Sequence, residues 1–156
     1  MVTLSFLERA LEIAAAHSAD GKNGPFGAVV VKNEKVIAEG WNRVVTNRDP
    51  TAHAEIVAIR NACQALHTHK LSGCTIYCSC EPCPMCLSAI YWARIDTIVF
   101  AASQEDAAYA GFDDSFLYNE MEKTWRQREV TAQQHLAEQG RVVLQKWIDN
   151  PNKIEY

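Results

Sequence analysis

The chain has 156 residues, with 15 Lys and Arg against 19 Asp and Glu for a formal charge of −4. Such a length suits one domain, whose folding buries about 70% of the unfolded surface, so the 6 cysteines are not required as a disulfide framework. The acidic balance argues against a partner held mainly through phosphates, because counterion release rewards clustered Lys and Arg and no such run occurs. No nucleic-acid partner is expected, and a small molecule is the easier substrate.

The opening stretch MVTLSFLERALEIAAAHSAD has no basic leader, and Glu8, Arg9 and Glu12 interrupt its apolar positions. It therefore reads as neither a signal peptide nor a membrane span, and a reducing, cytoplasmic location is expected. From Leu4 onward, Leu4, Leu7, Leu11 and Ala14 recur at helical spacing, which predicts an amphipathic helix with those four residues inward. GAVVVKNEKVIAEGW reads as two β-rich runs around Lys32, Asn33, Glu34 and Lys35, a hairpin. After the turn residues Asp49, Pro50 and Thr51, a second helical stripe runs through Ala52, Ile56, Ile59, Cys63 and Leu66.

CTIYCS is an apolar run fit for a buried strand, PMCLSAIYWAR a helix opened by Pro84, and TIVFAAS another strand. Strand, helix, strand makes a right-handed βαβ crossover with parallel strands. Beyond Ser103 the pattern weakens. DDSFLYNEM reads as helix, VVLQKWI as strand or helix, and NPNKIEY as an irregular tail. No repeat or linker divides residues 1–156. The expected fold is a three-layer α/β/α sandwich whose mixed sheet joins an antiparallel hairpin to parallel strands.

Cys83 and Cys86 lie i and i+3 across the first turn of the Pro84 helix, so both sulfurs can point past its N-terminus to one ion. The positive end of the helix dipole favours the thiolates a metal needs. A third ligand must come from another element, and TAHAEIV offers His53 at the start of the second long helix. Three protein ligands and an open fourth position are the pattern of a catalytic Zn²⁺ site. Glu55 lies roughly 200° round an ideal helix from His53. It is unsuited to bind the ion in the same manner, but within reach of a water on the open position, where it would act as general base and then general acid.

Other readings of these residues are weaker. Cys80, Cys83 and Cys86 begin a ferredoxin-type run, but the fourth position is Ile90 and no second cluster follows. Cys63, His67, His69 and Cys74 could form a second zinc site, although Cys63 sits on the core stripe and the histidines on a turn. Cys74 and Cys78 share strand parity with Ile76, and with Cys80 they are expected to pack. His17 and His135 have no partner motif.

His-x-Glu followed by Pro-Cys-x-x-Cys resembles the signature of zinc-dependent nucleobase deaminases. Through GPFGAVVVK, EGWN, DPTAHAE, SCEPCPMCLSAIYWAR, GFDDSF and KIEY, the chain resembles the cytidine deaminase-like superfamily, and within it the small bacterial guanine deaminases. The resemblance implies hydrolysis of guanine to xanthine and ammonia by a zinc-activated hydroxide, with Glu55 shuttling the proton. It also implies a base site formed by Phe26, Asn42, Ala54 and Trp92, with Asp114 as the carboxylate for the amine. A homodimer is implied too, whose swapped C-terminal segments bring Asp114 and Tyr156 to the partner's site.

Each substrate residue also has an ordinary structural explanation. Phe26 and Trp92 could be core aromatics, Asn42 a strand end, Asp114 a helix cap and Tyr156 a loose tail. Glu120 is a further carboxylate that could assist proton transfer. Alternative functions are deamination of tRNA adenosine, cytidine or an aminotriazine. A non-catalytic zinc-containing binding module is the other class, against which Glu55 weighs, because a structural zinc takes four protein ligands.

Overall fold

The computed structural model describes residues 2–156. The chain forms two compact units, one ending at Ser115 and one running from Phe116 to Tyr156.

In the first unit, helix α1 (Leu4–Ser18) leads into strands β1 (Gly27–Lys32) and β2 (Lys35–Trp41). The hairpin turn is Asn33 and Glu34, both with positive φ, which matches the right-handed twist of paired strands. A short helix α2 (Val44–Asn47) and helix α3 (Ala54–Ala65) follow, then β3 (Cys74–Cys80), α4 (Pro84–Trp92), β4 (Thr97–Ala102) and α5 (Gln104–Tyr109). The sheet order is β2-β1-β3-β4, with β1 antiparallel to both β2 and β3, and β3 parallel to β4. The hairpin and the βαβ crossover are as the sequence predicts.

Strand β1 is buried on both faces, which is why AVVV reads as a continuous apolar run rather than an alternation. Ala28 and Val30 pack with Ile76, Cys78 and the small residues Ala54, Ala58 and Ala62 of α3, with Ile90 and Ala93 from the α4 segment alongside. Val29, Val31 and Tyr77 pack on the other side against Ala10 and Ile13 of α1. Helices therefore cover both faces, giving the α/β/α sandwich.

The inward face of α1 differs from the predicted stripe. Of that stripe, Ala14 is buried and Leu7 packs on the core, but Leu4 and Leu11 are exposed, and Ala10 and Ile13 are buried in their place. The reason is a close approach: a Cβ at Gly27 would collide with the Ala10 carbonyl and the Ala14 amide, so the helix turns its small residues to the sheet. The same device seats α3, where a Cβ at Gly40 would collide with the Ala54 carbonyl and the Ala58 amide. Gly40 therefore fixes the height of α3, and of its N-terminus, above β2.

The second unit holds most of helix α6 (Ser115–Glu122), a 3₁₀ turn at Trp125–Gln127 and helix α7 (Ala137–Ile148). VVLQKWI is thus helical. None of residues 116–156 is buried, and Val142, Val143, Leu144, Trp147 and Ile148 of α7 are exposed.

Gly40→Ala is expected to destabilise the fold by about 1–3 kcal/mol through overpacking. It should also weaken zinc retention, because the helix start that carries His53 must lift. Thermal unfolding and metal content measure the two; a stable variant that retains its zinc would show that the contact is not critical.

Candidate active site and metal centre

Two helix N-termini converge at one end of the sheet. His53 is the N-cap of α3 and Cys83 the N-cap of α4, and neither side chain caps its own helix. Cys86 lies in the first turn of α4, after Pro84, whose missing N–H costs nothing there. The donor atoms of His53, Cys83 and Cys86 lie within 4.8 Å of one another. His53 Nδ1 is 3.5 Å from Cys83 Sγ and 3.5 Å from Cys86 Sγ. Zinc bonds of ordinary length at tetrahedral angles place nitrogen and sulfur ligands about 3.6 Å apart, so the three donors fit a zinc ion and leave a fourth position open. Among the described residues, no other group of three such donors forms, around Cys63, His67, His69 and Cys74 or elsewhere.

The electrostatics suit a cation. Hydrogen bonds from Cys86 and from His53 pull the Cys83 thiol down to about 4, and the same sharing with Cys83, together with burial, drives Cys86 up. The hydrogen bond to Cys83 raises His53. A divalent cation at these donors displaces the thiol proton that remains, because only thiolates ligate. Glu55 is buried beside the cluster, its Oε2 accepting from Cys86 Sγ at 3.5 Å. Burial is the largest influence on its carboxyl and pushes it up.

A cavity of about 110 Å³ opens at these donors, small beside drug-sized sites. Phe26, Asn42 and Asp114 line it with His53, Glu55 and Cys83. Asn42 is buried, and its Oδ1 accepts from the backbone N–H of Gly24 at 3.4 Å and of Val44 at 3.3 Å. With the oxygen engaged, the amide NH₂ is the group left for a ligand. Its own backbone N–H donates to the Phe26 carbonyl, tying ring wall and amide together. Asp114 Oδ1 is buried without a hydrogen-bond partner. Burial raises the Asp114 carboxyl.

The cavity also takes in Glu81, Ala107 and Phe112, which the sequence reading did not single out, and Cys80, which it assigned to packing. Cys80 continues the parity of Cys78 to the end of β3, so its thiol reaches the cavity and donates to the Ser103 carbonyl. Phe112 meets the Phe26 ring edge-on, with centroids 4.9 Å apart. Ala54 is fully buried between His53 and Glu55 and is not part of the lining. Trp92 ends α4, largely exposed, beside Ser88, Tyr91 and Arg94 on a separate surface. Tyr156 lies in the second unit and is exposed. Asp114, expected from a partner, joins Glu55 in the cavity of its own chain.

Comparison with known proteins decides the family. Residues 2–102 match the family described as cytidine and deoxycytidylate deaminase zinc-binding region. The chain belongs to this zinc-dependent deaminase family. The deaminase is 50% identical to the guanine deaminase of Bacillus subtilis, with 97% of each chain covered. A crystal structure of guanine deaminase from that species superposes with a TM-score of 0.96 at 49% identity, covering 100% of this chain and 99% of the other. A tRNA-specific adenosine deaminase of Haemophilus influenzae is 40% identical over 74% of this chain and 69% of its own. A Nitrosomonas europaea guanine deaminase structure has a TM-score of 0.67 at 36% identity, covering 72% and 65%.

The deaminase is expected to bind one zinc per chain, lost in His53→Ala, Cys83→Ala and Cys86→Ala and kept in Cys78→Ala and Cys80→Ala. Metal analysis after gel filtration reads this directly; loss of zinc on replacing Cys80 would contradict a three-residue site.

Proposed function

We infer that the deaminase hydrolyses guanine to xanthine and ammonia. The observation that carries this reading is the match to a guanine deaminase over 97% of the chain, where the match to the tRNA-specific enzyme covers 74%. The cavity chemistry agrees with it. A planar base fits between Phe26 and the imidazole side of the site. The Asn42 NH₂ donates to a ring or carbonyl acceptor, and Asp114 accepts from the base's N–H groups.

A zinc ion held by His53, Cys83 and Cys86 would supply a water acidic enough to ionise near neutral pH. Glu55 takes the proton of the attacking water at its carboxylate and delivers it to the departing amine. The burial that raises its carboxyl brings it towards the poise such a shuttle needs.

The enzyme works as a homodimer with exchanged C-terminal segments, in which Trp92 and Tyr156 complete the partner's site. The support is the second unit itself: no buried residue and an exposed apolar face on α7, which a helix in water must cover. Among the described residues, no helix is long and apolar enough to cross a membrane, and all six cysteines are free, consistent with a cytoplasmic enzyme.

Ammonia release should be found with guanine and not with cytidine, an aminotriazine or adenosine in a tRNA stem-loop. Turnover of another base in place of guanine would overturn the substrate and leave the deaminase intact. Glu55→Gln should keep zinc and lose about 10²- to 10⁴-fold in kcat; retained activity would mean another group carries the proton.

Mixed dimers test the exchange. Inactive His53→Ala and Tyr156→Ala chains should regain activity when refolded together, because one site of each heterodimer is then intact. His53→Ala with Asp114→Ala should regain none, because each chain supplies both residues to its own cavity and each cavity then carries one defect. Recovery in neither mixture would argue for sites built from one chain.

A further inference from the structure

We propose that Glu81 is a positioning residue for Asp114, tying the start of helix α5 to the loop that carries the zinc ligand Cys83. The proposal rests on the reading of Asp114 as an acceptor for the base. Cys80 faces Ala102 at the last paired position between β3 and β4. One residue on, the Glu81 N–H still donates to the Ala102 carbonyl at 2.9 Å, so Glu81 leaves the sheet with its backbone fixed. Its side chain then crosses to the neighbouring segment, where Oε2 accepts from the backbone N–H of Gln104 at 3.0 Å. Gln104 opens α5, and its amide is one that a helix leaves without an internal acceptor. Beside it, Cys80 Sγ donates to the Ser103 carbonyl at 3.5 Å.

Helix α5 carries this anchor to the substrate wall. Ser103 and Asp106 close a reciprocal capping box at its start. The Ala107 and Ala110 amides donate to the Ser103 and Asp106 carbonyls, and the Gly111 and Phe112 amides to those of Ala108 and Ala107. Gly111, at φ +92, makes the left-handed exit from the helix. Backbone hydrogen bonds thus span Ser103 to Phe112, and Asp114 follows two residues later. Ala107, Phe112 and Asp114 line one side of the cavity, and Glu81 lines it from the zinc loop. Asp114 Oδ1 is buried without a hydrogen-bond partner, so that oxygen is placed by the segment that carries it. Glu81 therefore sets where the Asp114 wall stands relative to Cys83.

A double-mutant cycle separates positioning from plain structure. Guanine affinity is measured by calorimetry on zinc-loaded protein carrying Glu55→Gln, so that no turnover intervenes, with Glu81→Met and Asp114→Ala singly and together. Glu81→Met, which keeps the length and removes the acceptor, should weaken guanine binding about tenfold while Asp114 is present, with zinc content unchanged. In the Asp114→Ala background the loss should fall to about threefold or less, the remainder acting through Phe112. Glu81→Gln, which retains an acceptor oxygen for the Gln104 amide, should stay within about threefold of the parent. An equal loss in both backgrounds, no loss from Glu81→Met, or a loss from Glu81→Gln as large as from Glu81→Met overturns the role of Glu81. Loss of zinc in Glu81→Met also overturns it, because the carboxyl would then serve the metal loop and not Asp114. If Asp114→Ala alone leaves affinity unchanged, the reading of Asp114 fails and takes that of Glu81 with it. Absence of guanine binding before either change overturns the substrate itself, and the role of Glu81 with it.

Discussion

The backbone of α3 rests on β2 at Gly40 with room for no side chain, and the position of the metal centre follows from that contact. His53 and Glu55 begin the helix that this contact seats, so their height above the sheet is set by main-chain atoms rather than by flexible side chains. Opposite them, β3 runs straight into the N-terminus of α4, which brings Cys83 and Cys86. Both helices rest on the same face of the sheet and share the core of Val30, Ile76 and Cys78. A site that needs its donors about 3.6 Å apart is held more precisely on regular elements than on loops, and here each donor belongs to a helix start packed on the sheet.

Two helix N-termini directed at one point also create an electrostatic demand. Each contributes positive potential, which favours thiolates and suits a site whose ligands must lose protons. Glu55, at the start of one of these helices, is pushed by burial towards its protonated form without a role as ligand. The division of labour between ligands that give up protons and a carboxyl that trades one arises from a single pocket.

The metal set was legible because ligand chemistry imposes short, typed spacings, which His53, Cys83 and Cys86 keep at the starts of helices that turn residues and Pro84 also announce. The sandwich was legible because both strand runs and the two long helices carry clean apolar patterns. What failed did so for identifiable reasons. Leu4 and Leu11 promised the inward face of α1, yet the close approach at Gly27 favours Ala10 beside the predicted Ala14. Helices α2 and α5, with 4 and 6 residues, are too short to show a period. The engagement of Asn42 Oδ1 by Gly24 and Val44 depends on a turn no pattern specifies, and Cys80 looks like packing until the end of β3 is seen to reach the cavity.

The central claim is a zinc ion held by one imidazole and two thiolates, with an open position beside Glu55. X-ray absorption at the zinc edge of the loaded enzyme tests it most directly. The account predicts two sulfur neighbours at about 2.3 Å and two nitrogen or oxygen neighbours at about 2.0 Å. A third sulfur, which Cys80 would have to supply, or four protein ligands with no exchangeable position, would contradict it.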